Sequence, residues 1–165
     1  MLSGSATKIA LCFVGLDKRY LTNIDLTART STGDLEGEVV EQRAVPDQEE
    51  LWAGLARLRG DVELPIPAVS AVKIGGERAY KLARSGVEVE MPLRRSRVDA
   101  LEVITYTGEE VQLDLRVSSG TYVRAIADAL GGHCRTLRRT EIGPFSVDEA
   151  DPDRFMAADE ALARL

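Results

Sequence analysis

The chain has 165 residues with 21 Lys+Arg, 27 Asp+Glu and one His, a formal net charge of −6. With 44% hydrophobic and 29% charged residues it has the composition of a globular domain, which excludes disordered, collagen-like and fibrous classes. Its length is enough for one core without disulfides or metal.

In chain order, the first apolar run is Ile9–Leu16, too short to span a membrane and read here as a buried helix end. Residues 19–27 alternate, so Tyr20, Thr22, Ile24 and Leu26 share one face of a strand. Thr30-Ser31-Thr32-Gly33-Asp34 is turn-rich, and residues 37–42 read as a second strand. Asp47 with Glu50 three residues on forms a capping box for a helix. Leu51, Leu55 and Leu58 form the apolar stripe of that helix, which Gly60 stops. Pro65 and Pro67 favour an extended stretch through Val72. Gly75-Gly76 makes a turn, and Glu77–Arg84 reads as a short helix ended by Gly86. Residues 97–106 read as a strand, Gly108-Glu109-Glu110 as a hairpin turn, and 111–117 as the most regular strand of the chain. Thr121 is placed to cap a helix over Tyr122–Leu130, ended by Gly131-Gly132. Residues 134–140 look extended, and Asp151-Pro152 starts a last helix. Strands and helices mix without strict βαβ order, which points to an α+β fold with a mixed, largely antiparallel sheet flanked by helices.

Charge is distributed in blocks. Residues 34–63 are net −6, 73–97 net +4, 98–115 net −5, 116–140 net +4 and 141–165 net −5. An acidic chain can bind nucleic acid when its bases cluster on one face; alternating solvated faces give the same pattern. Cys12 and Cys134 form no CxxC pair, and with one His a His/Cys metal site is close to excluded. Sparse cysteine fits a reducing, cytoplasmic setting.

Three segments can carry chemistry. In Ser118–Leu130 a glycine turn leads into a helix, and Arg124 stands in the first turn against the helix dipole, where it either meets a carboxylate or phosphate partner or curls out to solvent. In 134–140, Arg135 and Arg139 face one side of a strand and Arg138 the other, a strip suited to phosphates or to guarding a sheet edge. Around Gly76, Lys73, Arg78, Lys81 and Arg84 surround Tyr80, a combination suited to RNA, though Tyr80 with Leu82 and Ala83 serves equally as plain helix core. Tyr20, beside Lys18 and Arg19, can stack on a base or sit in the core.

In this order the segments resemble the TruB-type tRNA pseudouridine synthases. The likeness lies in Ala6-Thr7-Lys8, Asp17-Lys18-Arg19-Tyr20, Arg29–Asp34 with Gly37, and Pro67–Lys73 with Gly76. It continues through Ala79-Tyr80, Ala83-Arg84, Ser119–Arg124, Leu137–Thr140 and Ile142–Phe145. It covers about residues 5–150, and the linker before Pro65 is of the bacterial kind. The resemblance implies a catalytic-domain portion over 1–150 followed by a short helix in 151–165, without a complete C-terminal RNA-binding domain. It implies isomerisation of the T-loop uridine of tRNA, with no cofactor or metal, on a base flipped out of its stack. It gives Tyr20 the base-stacking role and Arg124 the role of orienting the nucleophilic aspartate. Tyr122 and Leu137 become pocket residues, and Lys73, Arg78, Arg84, Arg135, Arg138 and Arg139 line the RNA surface.

The family's nucleophile lies in a G-x-L-D-P-x-A-x-G motif just before the Ala-Thr-Lys segment, and these 165 residues open at Met1-Leu2-Ser3 without it. Asp17, Asp34 and Asp128 do not match the family's nucleophile position. The resemblance therefore implies a chain inactive alone, with an open sheet edge that favours self-association or pairing with a complementing N-terminal fragment. A non-catalytic module that binds the T-arm is the alternative.

Overall fold

The computed structural model describes residues 3–74, 76–79, 91–151 and 153–165. A 3-10 turn at Gly4–Ile9 leads into α1, Leu11–Val14. The strands that follow are β1 Lys18–Asp25, β2 Ala28–Thr30 and β3 Val39–Gln42. Helix α2, Gln48–Arg57, precedes β4 Gly60–Pro65, β5 Lys73–Ile74 and β6 Glu77–Arg78. Then come β7 Leu93–Tyr106, β8 Glu110–Val117, α3 Val123–Ala129, β9 His133–Ile142 and β10 Phe145–Ser146. Helix α4, Ala158–Ala163, lies near the end.

Six strands form one antiparallel sheet in the order β10-β9-β1-β8-β7-β4. The hairpins β2–β3 and β5–β6 stand apart from it. The alternation read in β1 and β8 puts Ile24, Val111, Leu113, Leu115 and Val117 on one face, all fully buried. Leu51, Leu55 and Leu58 from the α2 region and Val123, Ile126, Ala127 and Leu130 from α3 join them in one core. Each such side chain contributes about 1.5–3 kcal/mol when removed from water. The capping box forms as read: Glu50 N donates to Asp47 Oδ1 at 2.9 Å, and Asp47 N to Glu50 Oε2 at 3.1 Å. The opposite face of the sheet is polar. There Arg19 forks onto Asp114 at 2.8 and 2.9 Å and reaches Glu141 at 2.9 Å. These partners raise the Arg19 pKa, Asp114 first and then Glu141.

The structure corrects several local readings. The run Ile9–Leu16 is not a buried helix end: Leu11 is 83% exposed and Val14 58%. Phe13 and Leu16 reach the body, Phe13 edge-on to Phe145 at 5.7 Å and Leu16 against Gly143. Strand β4 arises in a stretch read as helix stop and linker, because β7 extends back to Leu93 and pairs with it. Glu77 and Arg78 pair as a strand with Ile74 and Lys73 rather than opening a helix. Ala79 is helical and buried, and the rest of that expected helix, with Tyr80, Lys81 and Arg84, and its Gly86 stop lie outside the described residues. Thr121 does not cap α3. Its hydroxyl donates to Ser118 O at 2.9 Å to close the preceding turn, and Tyr122 is the capping residue without a side-chain bond. The last helix starts after Ala157, not at Asp151-Pro152. Among the described residues no helix is long and apolar enough to cross a membrane, and no cluster of three or more His, Cys, Asp and Glu could hold a metal.

Candidate functional site

Arg124 is the second residue of α3. Its neighbours Val123, Ala125, Ile126 and Ala127 are buried, which turns the guanidinium aside toward the Thr30–Asp34 turn. That turn is closed by Gly33 N donating to Thr30 O at 3.1 Å and by Thr30 Oγ1 donating to Asp34 O at 2.7 Å. Gly33 has φ +75°, and a Cβ there would lie 3.2 Å from Arg124 Cβ, so glycine suits both the backbone and the close approach.

The guanidinium makes three contacts. Nη1 donates to Thr32 O at 2.7 Å and to Asp34 Oδ2 at 3.2 Å, and Nη2 donates to Val69 O at 3.0 Å. Arg124 therefore joins the 30–34 turn to the Pro67–Val72 segment. Its side chain is 21% exposed and that of Asp34 30%. The Asp34 carboxylate offsets the unfavourable placement of a cation at a helix start. Asp34 is itself fixed, its Oδ1 accepting from Thr32 Oγ1 and from Glu36 N. A guanidinium has five N–H groups, so two on Arg124 have no partner among the described residues.

Cys134 N donates to Gly33 O at 3.0 Å, which ties the turn to the start of β9. Burial pushes the Cys134 thiol up, against a Thr22 hydrogen bond and the nearby Arg124 charge. A buried thiol with a raised pKa is not a nucleophile.

From Cys134 the strand register leads to the other residues. Ile24 pairs with Cys134, Thr22 with Leu137 and Tyr20 with Arg139, and directly paired residues share a face. Tyr20 packs on the edge of the core, Leu137 is 46% exposed and Arg139 is exposed. Leu137 stands three residues, about 10 Å, along β9 from Cys134. Tyr122, half-buried, precedes Arg124 by two residues. The register thus puts Tyr20, Leu137 and Arg139 on one face of the β1–β9 pair, while the 30–34 turn ties Arg124 to its Cys134 end, four residues or about 13 Å along β1 from Tyr20.

The arginine strip differs from its sequence reading. Register shifts on β9 leave Arg135 and Thr140 without partners in the register with β1. Arg135 is an added residue at the first shift and forms an ion pair with Glu110, which also holds Asn23 on the polar face. Arg135 and Arg139 are therefore not on one side; a bulge reverses the alternation that the sequence assumes. Arg138, opposite Leu21, faces the polar side with Arg135. Arg138 and Arg139 have no acidic partner among the described residues. Lys73 is exposed on the β5–β6 hairpin, where its backbone pairs with that of Arg78. Arg84 lies outside the described residues.

Sequence reasoning set Asp34 aside and missed the Val69 carbonyl. The signal was present in part, since a first-turn arginine needs an anion. Nothing in the sequence couples residue 124 to residue 34. Asp17 and Asp128 point to other arginines: Arg97 Nη2 donates to Asp17 at 3.4 Å, and Arg29 Nε to Asp128 at 2.7 Å.

The fold is shared with solved structures. A chain in a structure titled as a Cbf5-Nop10-Gar1 complex superposes with a TM-score of 0.60 at 23% identity, covering 87% of this chain and 35% of its own. One in an H/ACA RNP bound to a substrate RNA containing 2'-deoxyuridine gives 0.57 at 19%, covering 87% and 34%. Sheet, flanking helices and topology are thus those of the pseudouridine synthase fold. The family model described as TruB family pseudouridylate synthase (N terminal domain) matches residues 1–123. This chain belongs to that family. It is 41% identical to tRNA pseudouridine synthase B of Mycobacterium sp. (strain KMS), over 96% of this chain and 57% of the relative. It is 44% identical to that of Mycobacterium leprae (strain TN), over 88% and 51%, and 37% to that of Bordetella avium (strain 197N), over 89% and 64%. The chain spans between half and two thirds of the length of these relatives.

Proposed function

We propose that residues 1–150 are the RNA-handling and arginine-bearing portion of a tRNA pseudouridine synthase acting on the T-loop uridine, with residues 151–165 an appended segment. The observation that carries this reading is Arg124, fixed through Thr32, Asp34 and Val69 with two N–H groups unpartnered among the described residues, beside the Cys134 end of the β1–β9 pair whose core face also carries Tyr20 and Leu137. Two adjacent N–H donors suit a second carboxylate or a phosphate.

In the proposed reaction the T-arm lies across the exposed bases, Arg139 and Lys73 among them. The uridine flips toward Tyr20, whose ring stacks on the pyrimidine, while Leu137 and Tyr122 wall the pocket. Arg124 holds and orients the attacking carboxylate. That carboxylate is not Asp34, Asp17 or Asp128. Asp34, Asp17 and Asp128 are each already paired with an arginine. Asp34 acts by setting the Arg124 geometry. The carboxylate displaces the base by forming a bond to ribose C1′ as C1′–N1 breaks; the base turns, its C5 bonds to C1′ as the carboxylate leaves, and the C5 proton is lost to solvent while N1 takes one up.

The test is pseudouridine formation in a T-stem-loop RNA, with this chain alone and with the upstream segment of a relative added. Product only with the added segment is the expected result. Product from the chain alone would overturn the assignment of the nucleophile. RNA binding without product in either case would make the chain a non-catalytic T-arm binder.

A further inference from the structure

We infer that Lys18 is a positioning residue that clamps the N-terminal helical segment, Gly4–Val14, to the turn from which Arg124's helix starts. Lys18 Nζ donates to Val14 O at 2.7 Å, to Leu16 O at 2.6 Å and to Ser119 Oγ at 3.0 Å. An ammonium has three N–H donors, so all are engaged. Ser119 Oγ in turn donates to Val14 O. One cation therefore holds the carbonyl end of α1, where the helix dipole favours positive charge, and one side chain of the 118–121 turn. Arg124 lies five residues after Ser119.

No residue of α1 is buried; Phe13 meets Phe145 edge-on, and the neighbouring Leu16 lies against Gly143. Lys18 is the first residue of β1, which is antiparallel to β8 and β9 on either side. The clamp thus transfers the rigidity of the sheet to a segment that lacks a buried face. Burial and the neighbouring Arg139 charge lower the Lys18 pKa, while Asp17 opposes them, so the ammonium is held by its three acceptors against some desolvation. The clamp itself is independent of the proposed function. Its consequence rests on that reading: the clamp sets where chain entering at Gly4 meets Arg124.

Cys12 supplies the test. It is exposed on α1, and the other cysteine, Cys134, is buried, so a nitroxide label reacts at Cys12 in the folded chain. The label's electron paramagnetic resonance line shape reports the motion of α1. In Lys18→Met the line narrows to a mobile spectrum, and amide exchange at Ala10 and Phe13 accelerates by at least about tenfold, the factor carried by one charge-assisted hydrogen bond. Exchange in β1 and β8 stays unchanged. Ser119→Ala, which leaves β1 intact, gives a smaller change of the same sign, so a folding defect of the lysine variant does not decide the matter. A label as immobile in both variants as in the parent, or mobile already in the parent, would overturn the inference. The spectrum reads the clamp whether or not a completed enzyme makes pseudouridine, so the two readings fail separately.

Discussion

Replacing Asp34 with alanine removes the carboxylate that Arg124 meets at 3.2 Å and the acceptor for Thr32 Oγ1 and Glu36 N. Hydrogen bonds to charged groups contribute roughly 1.5–3 kcal/mol each. The contact with Arg124 is long, and the side chains are 21% and 30% exposed, so solvent screening places it at the low end. Leaving a mostly buried guanidinium without its counter-charge adds to the cost. The sum is about 2–3 kcal/mol, which in a chain of this size lowers Tm by about 5–10 °C. Asp34→Asn keeps an acceptor for Glu36 N and loses the charge, so it falls about halfway. Thermal and urea unfolding of both variants, beside Glu63→Ala, measure this, because Glu63 pairs with the almost fully exposed Arg95. If Asp34→Ala unfolds no earlier than Glu63→Ala, Arg124 does not depend on Asp34, and the cluster is not the rigid unit described above.

Leu113→Ala, at a fully buried position on β8, costs about 3–5 kcal/mol in urea unfolding, whereas Leu11→Ala is close to neutral because Leu11 is 83% exposed. A large loss at Leu11 would restore the buried-helix reading of the N-terminal run. Gly132→Ala places a Cβ 2.2 Å from the Asp25 carbonyl oxygen and 3.0 Å from Ile24 Cγ2, both in the central strand, and destabilises by about 3 kcal/mol or more on the same assay. Burial opposes ionisation of Asp25, yet hydrogen bonds from Thr27 and the charges of His133 and Arg135 hold its pKa below the ordinary aspartate value. The unfolded state therefore takes up that proton first. The resulting stability is present above pH ~4 and is lost as pH falls through the lower folded value, and Asp25→Asn flattens that part of the stability profile. For T-stem-loop RNA, Arg138→Gln and Arg139→Gln each reduce the slope of log affinity against log salt by about one, while Arg135→Gln, paired with Glu110, changes it less. Equal slopes for all three variants would mean that the Glu110 pair does not withhold Arg135 from the RNA.

Where side chains alternate or cap locally, the sequence was sufficient. β1, β8, the capping box at Asp47 and Glu50, and the core leucines of α2 stand where their patterns put them, because neighbours a few residues apart determine those features. β4 was hidden, since its partner β7 begins 33 residues after Gly60, and an edge strand with one neighbour needs only weak alternation. The N-terminal helix was misjudged for a related reason: an apolar run states what a segment would bury, not whether a surface covers it.

The candidate site divides along the same line. Arg124 could be singled out from residue order, because a cation in a first helical turn implies an anion nearby. Its assignment to an orienting role came from the ordered likeness to the TruB family. That the anion is Asp34, and that Val69 O accepts the second nitrogen, depended on two loops that meet only when α3 packs on the sheet. Which arginines face Tyr20 was likewise a tertiary matter, since one bulge at Arg135 reverses the strict two-residue period. The sequence alone determined the family, the fold class and the core faces of β1 and β8, all encoded in short-range order. The folded chain decided the partner of each charge, because charges pair by distance in space, and the chain brings residues 34, 69 and 124 together only once the core is formed.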